Sequence, residues 1–94
     1  MESKMNYVLN FTKKANKSLC KIDKHSREII LKWLFNRIHN SENPRQYGKA
    51  LQGEFSGMWR YRVGKYRIIV NIQDDECIVL AIDVGLRGKI YTKK

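Results

Sequence analysis

Hydrophobic residues change their spacing along this chain, and the changes mark out its elements. Tyr7-Val-Leu-Asn-Phe11 reads as a short strand. From Thr12 to Ile22 the period lengthens, with Ala15, Leu19 and Ile22 at helical spacing and Lys13, Lys14, Lys17 and Lys21 facing elsewhere. Ser26 is positioned to cap a second, longer helix in which Ile29, Ile30, Trp33, Leu34, Arg37 and Ile38 recur every three to four residues, until Asn43-Pro44 stops it. The two form a helical hairpin whose Ile30 and Trp33 stripe is expected to pack on a sheet. Between Arg45 and Gly57 no period is sustained and three glycines interrupt the chain, so this stretch is expected to be a connection.

Residues 58 to 85 carry the clearest strand signal. Trp59, Tyr61 and Val63 alternate with Arg60 and Arg62; after Gly64-Lys65, Tyr66, Ile68 and Val70 alternate with Arg67. Gly-X between two such runs suits a type II′ hairpin. That turn sets Val63 opposite Tyr66, Arg62 opposite Arg67, Tyr61 opposite Ile68 and Arg60 opposite Ile69. The rings and aliphatic side chains then share one face, and Arg60, Arg62 and Arg67 share the other. A third strand, Cys77 to Val84, follows the acidic turn Asp74-Asp75-Glu76; its nearly unbroken apolar content predicts an interior strand covered on both faces.

Charge bears on what the arginine face is for. The chain has 94 residues, with 19 Lys+Arg against 9 Asp+Glu and a net charge of +10. That excess exceeds what solubility asks of a small domain and points to a polyanionic partner. An apolar share of 43% supports one folded domain, residues 1–94, and argues against a disordered basic tail. No apolar run reaches the length of a membrane span, and the N-terminus lacks a secretory pattern, so a cytoplasmic protein without membrane contact is expected. Cys20 and Cys77 lack a CxxC or Cys/His partner, and His25 and His39 lack ligand spacing; reduced thiols, ordinary histidines and no metal or cofactor are expected.

Like charges directly opposite one another destabilise a hairpin, so the Arg62/Arg67 pair is a local cost that a bound anion would offset. A solvated basic face and a phosphate site fit this pattern equally. The tail favours the second, because Asp83-Val-Gly-Leu-Arg87-Gly-Lys-Ile-Tyr91 supplies another guanidinium and a ring that could fold over the same face. Arginine offers a fork that fits phosphate oxygens, and tyrosine a stacking ring or a hydroxyl for proton transfer.

At these residues the sequence resembles the RelE/ParE superfamily of bacterial toxin–antitoxin toxins. The likeness rests on the Pro-ended helix at Asn43-Pro44, Gly-Lys-Ala-Leu-Gln-Gly (48–53), the WRYRVGKYRI hairpin (59–68) and the closing Val84-Gly-Leu-Arg-Gly-Lys-Ile-Tyr91. It implies an α+β fold of order β-α-α-β-β-β, with the helical hairpin packed on a mainly antiparallel four-stranded sheet. It further implies a cognate antitoxin, a monomeric free toxin, and, for RelE-type members, cutting of messenger RNA in the ribosomal A site. Arg62, Arg67, Arg87 and Tyr91 are the implied catalytic residues, with Arg60, Lys65 and Lys89 binding substrate. Relatives often carry Lys at the first two strand positions, where this chain has Arg60 and Arg62; phosphate binding survives that exchange, whereas proton transfer needs another group. Leu86 stands where many relatives write a histidine. Two alternatives belong to other classes: a ParE-like inhibitor of DNA gyrase, and a non-enzymatic basic binder stacking bases on Trp59, Tyr61 and Tyr66. Separation of rings and cations onto opposite faces disfavours the latter.

Overall fold

Thr12 makes the first junction of the fold. In this computed structural model, which describes residues 6–86, its amide donates to the Ala81 carbonyl (3.0 Å), its hydroxyl donates to Ile82 O (3.1 Å), and its Oγ1 accepts from the Ala15 amide (3.0 Å). One side chain thus ends strand β1 (Val8–Phe11), caps helix α1 (Lys13–Cys20) and ties both to the sheet. Ala15 and Leu19 are the buried residues of α1, while Lys13, Lys14, Lys17 and Lys21 are exposed, as their spacing predicts.

Helix α2 spans Lys24–Arg37 and starts earlier than expected. Its cap is Asp23, whose carboxylate accepts from the Ser26 amide (3.0 Å), so Ser26 is the third helical residue and not the cap. That bond holds the Asp23 carboxyl below its usual range. Arg27 closes the helical hairpin by donating Nη1 to the carbonyls of Leu19 (3.3 Å) and Ile22 (3.0 Å) near the end of α1. The helix also ends well before Pro44. Asn40 takes a left-handed φ of 67°, and the turn around it pairs with β1: Asn40 donates to Tyr7 O (2.7 Å), Tyr7 to Ser41 O (2.9 Å), and the Leu9 amide to His39 Nδ1 (3.2 Å). The outer edge of a short strand is thereby covered.

The sheet has five strands where four were expected. After a single 3₁₀ turn at Pro44–Gln46, the expected connection contributes a two-residue strand β2 (Lys49–Ala50) and a second 3₁₀ turn at Gly53–Phe55, followed by β3 (Trp59–Val63), β4 (Tyr66–Gln73) and β5 (Ile78–Leu86). Their order is β1-β5-β4-β3-β2, with only the β1–β5 pair parallel. So short a strand leaves no alternation to read; it exists because β3 holds it.

The β3–β4 register is the one the turn predicts, and Gly64 supplies the left-handed φ (60°) while Lys65 is not left-handed, as type II′ requires. Tyr61, Val63, Ile68 and Val70 join Leu9, Ala15, Leu19, Ile30, Leu34, Ile38, Val79, Ala81 and Val84 in one buried cluster, with Trp33, Trp59 and Tyr66 packed against it. Strand β5 lies inside the sheet as expected, yet Ile78 and Leu80 are only half-buried. Its unbroken apolar run has another cause. Ile69 pairs with Asp83 and Val70 with Ala81, which leaves Ile82 as an extra residue that switches the parity of the strand. Val84 and Ala81 can then both face the helices despite their odd separation.

Candidate active site

Arg60, Arg62 and Arg67 come together on the sheet face opposite the helices. Arg62 pairs with Arg67, and Arg60 with Ile69, in adjacent same-face rows. Arg62 is exposed, Arg60 and Arg67 are half-buried, and the Nε atom of Arg67 is buried. Ile69, only 2% exposed, is the apolar residue in this row. Beyond Arg67 the same row reaches Gly85 of β5, which contributes no side chain. Arginine keeps its charge at any working pH, so these three groups can bind and polarise phosphate oxygens but do not move protons.

The row holding Arg60 contains a residue that sequence reading missed. Lys49 of β2 is the direct partner of Arg60, on the same face, and it is exposed. The signal was present only as the Lys of Gly-Lys-Ala-Leu-Gln-Gly, because the register of a two-residue strand has no sequence pattern. At the far end of that row Asp83 is engaged by α1, accepting from Ser18 Oγ (2.8 Å) and pairing with Lys14 Nζ (3.4 Å). That is the one carboxylate within the described strands, and it is tied to a helix rather than aimed at the arginines.

Lys65 is placed elsewhere. It sits in the hairpin turn and lines a groove with Ser26, Ile29, Ile30, Val63 and Tyr66, on the helical side of the sheet. Arg87, Lys89 and Tyr91 lie outside the described residues. Two described tyrosines are unsuited to proton transfer: burial pushes the Tyr61 hydroxyl far above the ordinary phenol range, and the hydrogen bond to Asp74 raises that of Tyr7. Tyr61 is a strut, donating its hydroxyl to Pro44 O (2.8 Å). The thiols of Cys20 and Cys77 are free, and no described helix is long and apolar enough to cross a membrane.

The fold places a helical hairpin on one face of a small sheet and a cluster of guanidinium groups on the other. A family profile described as "ParE toxin of type II toxin-antitoxin system, parDE" matches residues 9–91. The chain belongs to this family of toxins, within the RelE/ParE superfamily, and its fold is RelE-like. It is 29% identical over 89 residues to Toxin RelG of Mycobacterium tuberculosis (strain ATCC 25618 / H37Rv), covering 95% of this chain and 100% of that one. Among solved structures it is similar to the M. tuberculosis toxin-antitoxin complex RelBE2 (TM-score 0.80, 25% identity, 95% of this chain and 100% of that chain). It is also similar to a double mutant of E. coli toxin RelE in the free state (TM-score 0.71, 27% identity, 89% and 86%).

Proposed function

We propose that this toxin is a ribosome-dependent endoribonuclease that cuts messenger RNA in the ribosomal A site and so stops translation. The observation that carries the reading is the direct Arg62–Arg67 pairing, with Arg60 beside it, on the face away from the core. Three guanidinium groups gathered on one face repel one another, and a scissile phosphate, which gains charge in its transition state, offsets that repulsion and binds the cluster more tightly as it reacts. The RNA 2′-hydroxyl attacks the adjacent phosphorus and gives up its proton, the bond to the 5′-oxygen breaks, that oxygen takes a proton from water, and a 2′,3′-cyclic phosphate is left. Because the nucleophile is the substrate's own hydroxyl, no metal-bound water is required. Arg62 and Arg67 meet the developing charge, and Arg60 binds next to them. Tyr91 orients or deprotonates the 2′-hydroxyl, Arg87 supports the departing oxygen, and Lys89 adds to substrate binding. Lys65, in the groove on the helical side of the sheet, takes no part in this site.

Guanidinium groups do not shuttle protons, so cutting depends on substrate arriving bent for in-line attack. The ribosome supplies that geometry, and free RNA is expected to be cut far more slowly. The cognate partner is an antitoxin that covers this face, in keeping with the toxin-antitoxin complex whose toxin resembles this chain; the free toxin is a cytoplasmic monomer. The family profile's own description, a ParE toxin, favours a second reading in which the arginine face docks on DNA gyrase and RNA stays intact. Primer extension on a defined message with translating ribosomes, comparing wild type with Arg67→Ala, decides between them. Discrete A-site cuts lost in the variant support the nuclease. Uncut message from a folded protein, together with trapped gyrase–DNA breaks, overturns it.

A further inference from the structure

The β2 strand is too short to hold itself, yet four contacts fix it. Trp59 Nε1 donates to Tyr47 O (2.6 Å), Tyr61 donates to Pro44 O (2.8 Å), and the Arg45 guanidinium lies over the Trp59 ring (6.0 Å). Gly48 makes the fourth: its φ is +79°, and a Cβ there would meet Arg60 O at 2.1 Å. Close approach at a glycine immediately before Lys49 therefore sets the register that pairs Lys49 with Arg60. A lysine on a free loop would be solvated in many places; this one stands on a clamped backbone in the same row as a half-buried arginine.

Sheet geometry gives the spacing. Neighbouring strands are about 4.8 Å apart and same-face residues along a strand about 6.7 Å, so the centre of the Lys49/Arg60 pair lies roughly 8 Å diagonally from that of the Arg62/Arg67 pair. That separation is of the order of one nucleotide step along an extended single strand. We infer that Lys49 is a substrate-binding residue, forming with Arg60 a second two-cation cradle that holds the phosphate next to the scissile one. This rests on the nuclease reading, in which Arg62 and Arg67 hold the scissile phosphate. The cradle lays the RNA strand across the sheet, from β2 towards β4, and holds it there by gripping the phosphate next to the reacting one.

The test uses the full chain carrying Lys49→Gln, Lys49→Arg or Arg60→Gln, and the Lys49→Gln/Arg60→Gln pair. Binding of a short single-stranded oligoribonucleotide is measured across salt concentrations, beside A-site cutting in the translating system. Lys49→Gln is expected to weaken binding roughly fivefold and to lower the slope of log K against log salt by less than about 0.7, the release for one whole phosphate contact on a single strand, because Arg60 still holds that phosphate; the double variant is expected to lose the full amount, about 0.7. Lys49→Arg is expected to restore both, and the double variant to lose less than the two single losses combined, since both cations grip one phosphate. Cutting is expected to fall through KM, with kcat much less affected. Binding by Lys49→Gln within a factor of 1.5 of wild type at an unchanged salt slope, or strictly additive losses in the double variant, overturns the cradle. A wild-type toxin that leaves message intact overturns the nuclease reading instead, which the cutting arm reports separately from the binding arm.

Discussion

Arg62 stands directly across the β3–β4 pair from Arg67, one residue pair away from the hairpin turn. On the nuclease reading, two guanidinium groups held this way on a hairpin meet charge that appears only in the transition state. Arg62→Ala is expected to slow single-turnover cutting by about 10²–10³, the range seen when an oxyanion donor is removed. Arg62→Lys keeps the charge but not the fork, and is expected to lose less. Rapid-quench kinetics on ribosome-bound message, with thermal melts to confirm folding, checks both; a loss below tenfold for Arg62→Ala would reassign the residue to docking.

Gly48 and Gly53 both have left-handed φ, at +79° and +66°, but only Gly48 is crowded. Gly53→Ala meets nothing within 4 Å, so it is expected to cost about 1 kcal/mol of backbone strain. Gly48→Ala adds a collision with the Arg60 carbonyl, and the strand must move away, at a cost above about 2 kcal/mol. Because that displacement carries Lys49 away from Arg60, cutting is expected to fall in Gly48→Ala at temperatures where the protein is still folded, and to be kept in Gly53→Ala. Denaturant titrations and the primer-extension assay measure the two effects.

The contrast between these glycines marks where sequence reading stops. The β3–β4 register and its two faces were legible because a two-residue turn leaves one pairing and the side chains alternate strictly on either side of it. The arginine cluster followed at once. Lys49 was not legible, since its position depends on Trp59, Tyr61 and Gly48 acting across the chain. The parity switch at Ile82 was hidden for a related reason: in an apolar run, alternation disappears whether a strand is buried on both faces or bulged. The end of α2 was misplaced because the turn at Asn40 is stabilised by β1, some 30 residues earlier, and not by the local Asn43-Pro44 signal.

His39 belongs to that long-range set. Its Nδ1 accepts from the Leu9 amide at 3.2 Å, so it must be unprotonated at that nitrogen while the bond exists. Removing the ring in His39→Ala leaves a strand amide without its acceptor and is expected to destabilise the fold by about 1–3 kcal/mol. Hydrogen exchange at Leu9 is the specific readout. Protection there is expected to drop while the amides of Tyr61 and Ile68 in the sheet core keep theirs; uniform loss throughout would show that the histidine acts only through general stability.

Asp74 joins three segments. It accepts from Arg45 Nη1 (2.9 Å) and Nη2 (3.1 Å) and from the Tyr7 hydroxyl (2.6 Å), linking the β4–β5 turn to the loop before β2 and to the entry of β1. The Arg45 hydrogen bonds, then that of Tyr7, hold its carboxyl below the usual range, and Tyr7 is raised in return. For Asp74 the stabilisation is complete above about pH 5 and is lost as pH falls through the lowered pKa; for Tyr7 it is complete below about pH 9 and is lost as pH rises through the raised one. The Asp74 side chain is 55% exposed, so solvent screening keeps the ion pair below about 1 kcal/mol. Asp74→Asn is therefore expected to melt slightly below wild type near neutrality. The gap should close in strong acid, where wild type has lost its charge, and narrow again as the Tyr7 hydroxyl ionises. A gap that stays constant from pH 3 to 10 would mean that the side chain acts through turn geometry and not through charge.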